Sequence, residues 1–209
     1  MKIAMINGSP KKATSSSAAL LNDLKTCFSS DVSFTDYHFT NSIITEKLIL
    51  ELSSFDAIVF AFPLYVDAIP SQLLTCLCEI EKVGITNKKI HIYAISNCGF
   101  YEGEQNIIAL EILENWCEKV GLVWGHGIGL GCGGALPEMS AVPLGKGPKT
   151  SLGKTLRKMA TNIENVMSEE SNYISLDFPR YIYKFAAEMG WRKMIKANGL
   201  KVKDLANRL

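Results

Sequence analysis

Residues 2–10 read KIAMINGSP, an apolar run that ends abruptly at a glycine and a proline. The run predicts a buried strand over Lys2–Ile6 and a sharp turn over Asn7–Pro10. It is too short to be a secretory signal peptide, so we expect a cytoplasmic protein. If the strand belongs to a parallel sheet, the turn lies at the edge where such sheets bind their ligands.

The rest of the chain alternates between apolar runs and helical patterns. Further strands are predicted at Val32–Phe39, Ala57–Phe62, Ile90–Ser96 and Leu122–Leu130. Helices are predicted at Ser15–Phe28, Ile43–Leu52, Ile69–Val83, Glu104–Val120 and Leu152–Met167. This alternation predicts an α/β fold: a flavodoxin-like, doubly wound, five-stranded parallel sheet in the order 2-1-3-4-5, with a C-terminal helical extension.

Charge and cysteine content exclude several classes of protein. The 22 basic and 21 acidic residues leave a net charge of +1, which gives no reason to expect a nucleic-acid partner. No stretch approaches the ~20 apolar residues that span a bilayer, so we expect no membrane span. The 6 cysteines contain no C-x-x-C pair, which favours reduced thiols and neither a metal nor an iron–sulfur site.

In the order 2-1-3-4-5, ligands bind between strands 1 and 3, so the loops after strands 1, 3 and 4 are expected to line one site. The first loop, Asn7–Ser17, has four hydroxyl residues from Thr14 to Ser17 where the first helix begins. N–H groups at a helix start attract phosphate, and hydroxyls donate further hydrogen bonds to it. Simple capping of the helix by these serines is the alternative.

The second loop, Phe62–Ser71, holds Tyr65 and Val66 between two prolines. Apolar residues at a ligand-binding edge indicate a flat apolar partner. A buried turn packed on the next helix would show the same pattern, so both interpretations stay open.

The third loop, Asn97–Glu104, contributes Gly99 and the aromatic residues Phe100 and Tyr101. We interpret Cys98 as a small buried hydrophobic residue rather than a redox thiol. A phosphate cradle that faces two aromatic loops suits a phosphorylated flat heterocycle. FMN fits better than a dinucleotide, because no G-x-G-x-x-G follows the first strand.

Three segments together resemble the flavodoxin-like NAD(P)H-dependent FMN reductase family. They are Asn7–Lys11, Pro63–Asp67 with Ile69–Leu73, and Asn97–Phe100. The resemblance covers roughly residues 1–168, and the middle segment is its most specific part. Many relatives have an Asn-Thr pair where this chain has serines, so the assignment of phosphate contacts among Ser15, Ser16 and Ser17 stays open.

The resemblance implies an FMN-binding oxidoreductase that passes electrons from NADPH or NADH through the flavin to a small acceptor such as a quinone, a nitro compound or free flavin. It also implies a homodimer. The cofactor-binding residues that it implies are Ser9, Lys11, Ser15, Ser16 and Ser17 for the phosphate, Pro63, Leu64, Tyr65 and Val66 for the ring, and Asn97, Gly99 and Phe100 on the other side. No residue is assigned as a catalytic acid or base. A flavodoxin-type electron carrier and a flavin-binding regulatory module without turnover of its own are the alternatives.

Two segments remain outside this scheme. Gly129–Gly134 matches G-x-G-x-x-G, but we reject it as a dinucleotide motif because it follows the last strand and prolines interrupt the residues after it. The long segment 131–149 either borders the flavin site or is surface disorder.

The predicted domains are an FMN-binding domain over residues 1–168 and a basic amphipathic helical extension over residues 169–209. From Pro179 onward the extension carries eight Lys and Arg against two acids, a net charge of +6. We expect it to dock as a helix on the sheet or on a partner subunit, rather than to bind a membrane or nucleic acid.

Overall fold

The computed structural model describes residues 1–11, 15–40 and 44–206. Thr14, the helix start predicted at Ile43, and Arg208 of the basic tail lie outside the described residues. The strands are β1 Lys2–Asn7, β2 Ser33–His38, β3 Ala57–Pro63, β4 His91–Asn97, β5 Val123–Leu130 and β6 Asn172–Ile174. The α-helices are α1 Ser16–Lys25, α2 Glu46–Leu52, α3 Ser71–Val83, α4 Ile107–Val120, α5 Thr150–Glu164 and α6 Arg180–Ala197.

All strands pair in parallel in one sheet of order β2-β1-β3-β4-β5-β6. The predicted flavodoxin-like fold and its order 2-1-3-4-5 are therefore confirmed. The structure adds the short strand β6, which pairs Asn172–Ile174 with Ile128–Leu130. These three residues contain no apolar run, so the sequence alone gives no signal for a strand there.

Burial explains why the strand patterns differ. β3 and β4 lie in the middle of the sheet, and nearly every side chain in them is buried. Both therefore read as continuous apolar runs, as expected for strands covered on two faces. β2 is an edge strand with mostly exposed side chains, which accounts for its alternating pattern.

Helices cover both faces of the sheet. α2, α3 and α4 bury their apolar sides against the first face, where Phe60 packs edge-on against Trp116 with ring centroids 6.4 Å apart. The Trp116 indole N–H donates to the Leu77 carbonyl at 3.1 Å, which joins α4 to α3. α1 and α5 contact each other and the strands of the opposite face. Each fully buried large apolar side chain contributes about 1.5–3 kcal/mol to this packing.

The segment 131–149 is folded rather than disordered. It forms short 3-10 turns at Gly133–Ala135, Pro137–Met139 and Gly147–Lys149. Leu136 and Lys149 are buried within it. The surface-disorder interpretation of this segment is therefore wrong.

The chain divides into two compact units, Met1–Asp177 and Phe178–Leu209. The first unit contains the whole sheet. The second contains α6, in which no residue is buried, and a 3-10 turn at Val202–Ala206. Among the described residues, no helix has the length and apolar character needed to cross a membrane.

Candidate functional site

The register of the sheet brings four strand ends to one edge. Asn7 of β1 lies beside Ala61 of β3, Pro63 of β3 lies beside Asn97 of β4, and Asn97 lies beside Leu130 of β5. The loops after β1, β3, β4 and β5 therefore meet. This is the edge at which open α/β sheets bind ligands.

The first loop turns sharply at Gly8. Its N–H donates to the Ala61 carbonyl at 2.8 Å, and a Cβ at this position would come within 2.6 Å of the Leu73 side chain. A side chain here would displace the buried Leu73 side chain, so the close approach of β3 and α3 favours glycine. The Asn7 side chain then accepts a hydrogen bond from the Ser9 N–H at 2.9 Å, and this fixes Ser9 just beyond the strand ends.

The serines at the start of α1 have different hydrogen-bonding roles. Ser15 caps the helix and accepts a hydrogen bond from the Ala18 N–H at 3.1 Å. Ser17, which is 1% exposed, accepts one from the Asn97 amide at 3.1 Å. Ser16 instead donates its hydroxyl proton to the Gly133 carbonyl at 2.8 Å.

Among the described residues, the hydrogen bonds of Ser15 and Ser17 use only their oxygens as acceptors, so their protons remain available to a ligand. The Ser9 hydroxyl likewise accepts from the Lys11 N–H at 3.3 Å. The first turn of α1 contains no acidic residue. Three hydroxyl protons, the helix start and the Lys11 ammonium group together favour an anion with several acceptor oxygens.

The second loop is a tight hairpin. Tyr65 and Ala68 exchange both backbone hydrogen bonds, at 3.0 and 3.1 Å. Val66 and Asp67 occupy the two central positions with φ of +49° and +58°. Such a turn normally requires Asn or Gly, so a valine there is strained. The hairpin presents Tyr65 and Val66 to solvent, which excludes the buried-turn interpretation of this loop.

The side chain of Asn97 anchors the start of the third loop. Its buried side-chain amide donates to the Phe62 carbonyl at 2.9 Å as well as to Ser17. This single residue therefore ties the ends of β3 and β4 to the start of α1. A Cβ at Gly99 would meet nothing within 4 Å, so there is open space beside its Cα.

These loops enclose a cleft of about 150 Å³ that is open to solvent. The lining residues are Ser9, Lys11, Ser15, Ser16, Ser17, Pro63, Leu64, Tyr65, Asn97, Cys98, Gly99 and Gly134.

The cleft unites ten of the twelve residues assigned to the cofactor from the sequence. Val66 and Phe100 do not line it, although both are exposed, with exposed fractions of 98% and 56%. Cys98 and Gly134 line it without having been assigned. The glycine-rich end of β5 was the available signal for Gly134, because segment 131–149 had been considered as a border of the site.

Cys98 is buried, as the sequence interpretation held, yet it also reaches the cleft wall. Burial raises the pKa of its thiol above the ordinary value, while hydrogen bonds from the Phe100 backbone and the Asn106 side chain lower it in part.

His126 lies in the middle of β5, beside Tyr93, rather than at the site. Within residues 1–11, 15–40 and 44–206, no group of three or more His, Cys, Asp or Glu side chains could hold a metal ion.

Solved structures share this architecture. An NADPH-quinone reductase from P. pentosaceus superimposes with a TM-score of 0.57 at 15% identity, over 78% of this chain and 99% of that one. An azoreductase from Bacillus anthracis str. Sterne gives 0.54 at 13%, over 76% and 98% of the two chains. A short-chain flavodoxin associated with a bacterial microcompartment gives 0.57 at 12%, over 80% and 100%.

The chain has the flavodoxin-like fold. At these identities the likeness establishes the fold alone. No protein-family model matches the sequence, and no curated protein matches it in sequence. The function of this flavodoxin-like chain must therefore be argued from its own cleft.

Proposed function

We propose that the protein binds FMN in this cleft and acts as an NAD(P)H-dependent oxidoreductase that passes electrons to a small acceptor such as a quinone, a nitro compound or free flavin. The observation that carries the proposal is the convergence of a hydroxyl-rich helix start with an apolar, aromatic wall in one cleft. The resemblance of the same loops to the FMN reductase family supports it.

The residues at the start of α1 fit a phosphate monoester. Ser9, Ser15 and Ser17 would donate hydroxyl protons, and Lys11 would supply the positive charge. Hydrogen bonds to a charged group contribute about 1.5–3 kcal/mol each, so three such donors are sufficient to select a phosphate over a hydroxyl group. Ser16 would contribute less, because its proton is used on the Gly133 carbonyl.

The residues opposite fit a planar heterocycle. Pro63, Leu64 and Tyr65 line the cleft together with Gly99, beside whose Cα there is open space. FMN bound there would supply hydride and electron transfer, for which the protein provides position and electrostatics. No acid or base in the cleft is required for that chemistry.

The rim of the cleft favours an enzyme over a pure electron carrier. Tyr65, Val66 and Phe100 expose apolar surface beside the cleft. Such surface suits the stacking of a nicotinamide or of a flat acceptor.

From the resemblance we also propose a cytoplasmic homodimer. Light scattering would test the dimeric state.

Anaerobic mixing of the FMN-loaded protein with NADPH or NADH tests the proposed activity. We expect bleaching of the oxidised flavin absorbance by at least one nicotinamide, followed by its return when benzoquinone is added. The Ser30→Ala variant, which changes an exposed serine outside the cleft, is the control and should behave like the parent.

Two outcomes would contradict the proposal in different ways. A protein that holds FMN but is reduced by neither nicotinamide is not a reductase, and the electron-carrier alternative would replace it. A protein that stays colourless with added FMN has no flavin function, and the regulatory-module interpretation would then need another ligand.

A further inference from the structure

Two buried cysteines lie side by side where the third loop meets the end of β5. Cys98 follows β4 and lines the cleft, and Cys132 follows β5. Neither has a role in the proposed flavin chemistry. The backbone hydrogen bonds around them show how close they are.

The Cys98 N–H donates to the Leu130 carbonyl at 2.9 Å, and the Cys98 carbonyl accepts from the Gly133 N–H at 2.7 Å. In a regular parallel ladder, one residue donates to and accepts from two residues of the neighbouring strand, and a single residue lies between those two. Here they bracket Gly131 and Cys132, which form a bulge opposite Cys98. Neighbouring strands are about 4.8 Å apart, a spacing within the range of about 4.4–6.8 Å between the Cα atoms of disulfides.

The two thiols also point toward the same stretch of backbone. Cys98 Sγ lies 3.6 Å from the Glu102 carbonyl oxygen, and Cys132 Sγ lies 3.8 Å from that of Tyr101. Burial raises the pKa of the Cys132 thiol to about 11, and electrostatic repulsion from Cys98 contributes to the increase.

The backbone of Cys132 gives a second, independent indication. Its φ is +59°, in the left-handed region that favours glycine. Glycine precedes and follows it in the sequence, yet this position carries a side chain at a conformational cost. Backbone strain of this kind at the edge of a site indicates that the side chain has a function.

We propose that Cys98 and Cys132 form a reversible disulfide at the wall of the cleft. Cys98 is the attacking thiol, because it reaches the cleft, while Cys132 has no exposed surface. With hydrogen peroxide as the oxidant, the Cys98 thiolate attacks one peroxide oxygen, the O–O bond breaks, and a sulfenic acid forms as one water leaves. The Cys132 thiolate then attacks the Cys98 sulfur, so the S–S bond forms, the S–O bond breaks, and the hydroxide leaves as a second water with the proton that the Cys132 thiol released. A small dithiol reverses the oxidation.

The test uses the full chain with Cys78→Ser as background, because Cys78 is exposed and would form disulfides between molecules. The folded protein, with and without FMN, is treated with hydrogen peroxide at pH 8.5, where more thiolate is present. Remaining thiols are alkylated after denaturation, and peptides are mapped by mass spectrometry. We expect a linked pair of peptides containing Cys98 and Cys132, the loss of two alkylatable thiols, and full recovery with dithiothreitol.

Cys132→Gly is the matched variant. Its backbone suits φ of +59°, so we expect it to fold at least as stably as the parent while it loses the linked peptides. The proposal would be overturned if every thiol of the oxidised parent still alkylates, or if Cys98 is oxidised to the sulfinic acid while Cys132 stays reduced. The result does not depend on flavin binding, because the apo-protein is mapped in parallel.

Discussion

Val66 adopts a backbone conformation that β-branched residues rarely adopt. It occupies the first central position of the Tyr65–Ala68 turn with φ of +49° and an almost fully exposed side chain. A residue in a sparsely populated backbone region costs about 1–3 kcal/mol. Because the side chain is almost fully exposed, packing against the described residues offsets little of that cost, and the strain lies at the rim of the proposed flavin site.

We expect Val66→Asn to stabilise the protein by about 0.5–1 kcal/mol, because Asn tolerates the left-handed region. Urea unfolding of the apo-protein measures the change. Val66→Ile keeps the branched side chain and the strain, so it should leave stability within about 0.5 kcal/mol of the parent. A loss of stability in the Asn variant would show that the turn is not strained.

The sequence predicted which hydroxyls lie near the proposed phosphate, but not which of their protons are available. Their roles depend on partners far along the chain. Ser17 accepts from Asn97, 80 residues away, and Ser16 donates to the Gly133 carbonyl, 117 residues away. Only the folded sheet brings these residues together. In the same way, Val66 gives no signal for a tight turn, because a β-branched residue rarely adopts a positive φ, whereas Asp67 tolerates it.

At the scale of elements, one ion pair links segment 131–149 to α1. Lys149 Nζ lies 2.7 Å from Asp23 Oδ2, with 6% and 23% of the two side chains exposed. The pair joins the start of α5 to the helix whose first turn forms the proposed phosphate site. It therefore positions the segment that carries Gly133 and Gly134.

We expect Lys149→Met to lower the free energy of unfolding by about 1–3 kcal/mol, because it leaves the partly buried Asp23 carboxylate without its partner. Chemical denaturation measures the loss. The matched control is Lys154→Met on the exposed side of α5, which should change stability by less than about 0.5 kcal/mol. Equal losses in the two variants would show that the ion pair contributes nothing.

The buried His126 of β5 makes the free energy of unfolding depend on pH. Burial lowers the pKa of this histidine, and Lys158 adds to the effect, although Asn172 and Glu169 oppose it. As the pH falls below about 6.5, the unfolded chain takes up the proton before the folded protein does, so stability decreases toward acid.

We expect His126→Asn to reduce the slope of unfolding free energy against pH between pH 7 and pH 5. The parent slope should exceed that of the variant by at most about 1.4 kcal/mol per pH unit, the limit for one proton. Parallel slopes for the two proteins would contradict the assigned role. The comparison is independent of any change in overall stability that the substitution causes.

Elements with a strong pattern were predicted well, and short ones were not. The apolar runs of β1, β3, β4 and β5 were placed to within about two residues. β6 was missed because its three residues gain their strand geometry from β5 rather than from their own sequence. α3 begins at Ser71 rather than at the predicted Ile69, because Pro70 precedes the helix instead of lying in its first turn.

Across the whole molecule, binding of a ligand in the cleft would be coupled to folding. Four loops that are distant in sequence form the cleft only when the sheet is assembled. FMN that binds only the folded state would stabilise it by about 2.7 kcal/mol at a concentration 100 times its Kd. The central claim therefore concerns the cleft as a unit, and within it the phosphate cradle at the start of α1.

Titration of the apo-protein with FMN and with riboflavin, followed by flavin fluorescence, tests that claim most directly. The two ligands share the ring and differ by the phosphate. We expect FMN to bind with one-to-one stoichiometry and at least about 100-fold more tightly than riboflavin, because the hydroxyl donors contact a charged group. Ser17→Ala should weaken the binding of FMN more than that of riboflavin, because it removes a phosphate donor as well as the acceptor of the Asn97 amide. Ser30→Ala should alter the binding of neither. Equal affinities for FMN and riboflavin, or no binding of either, would contradict the account.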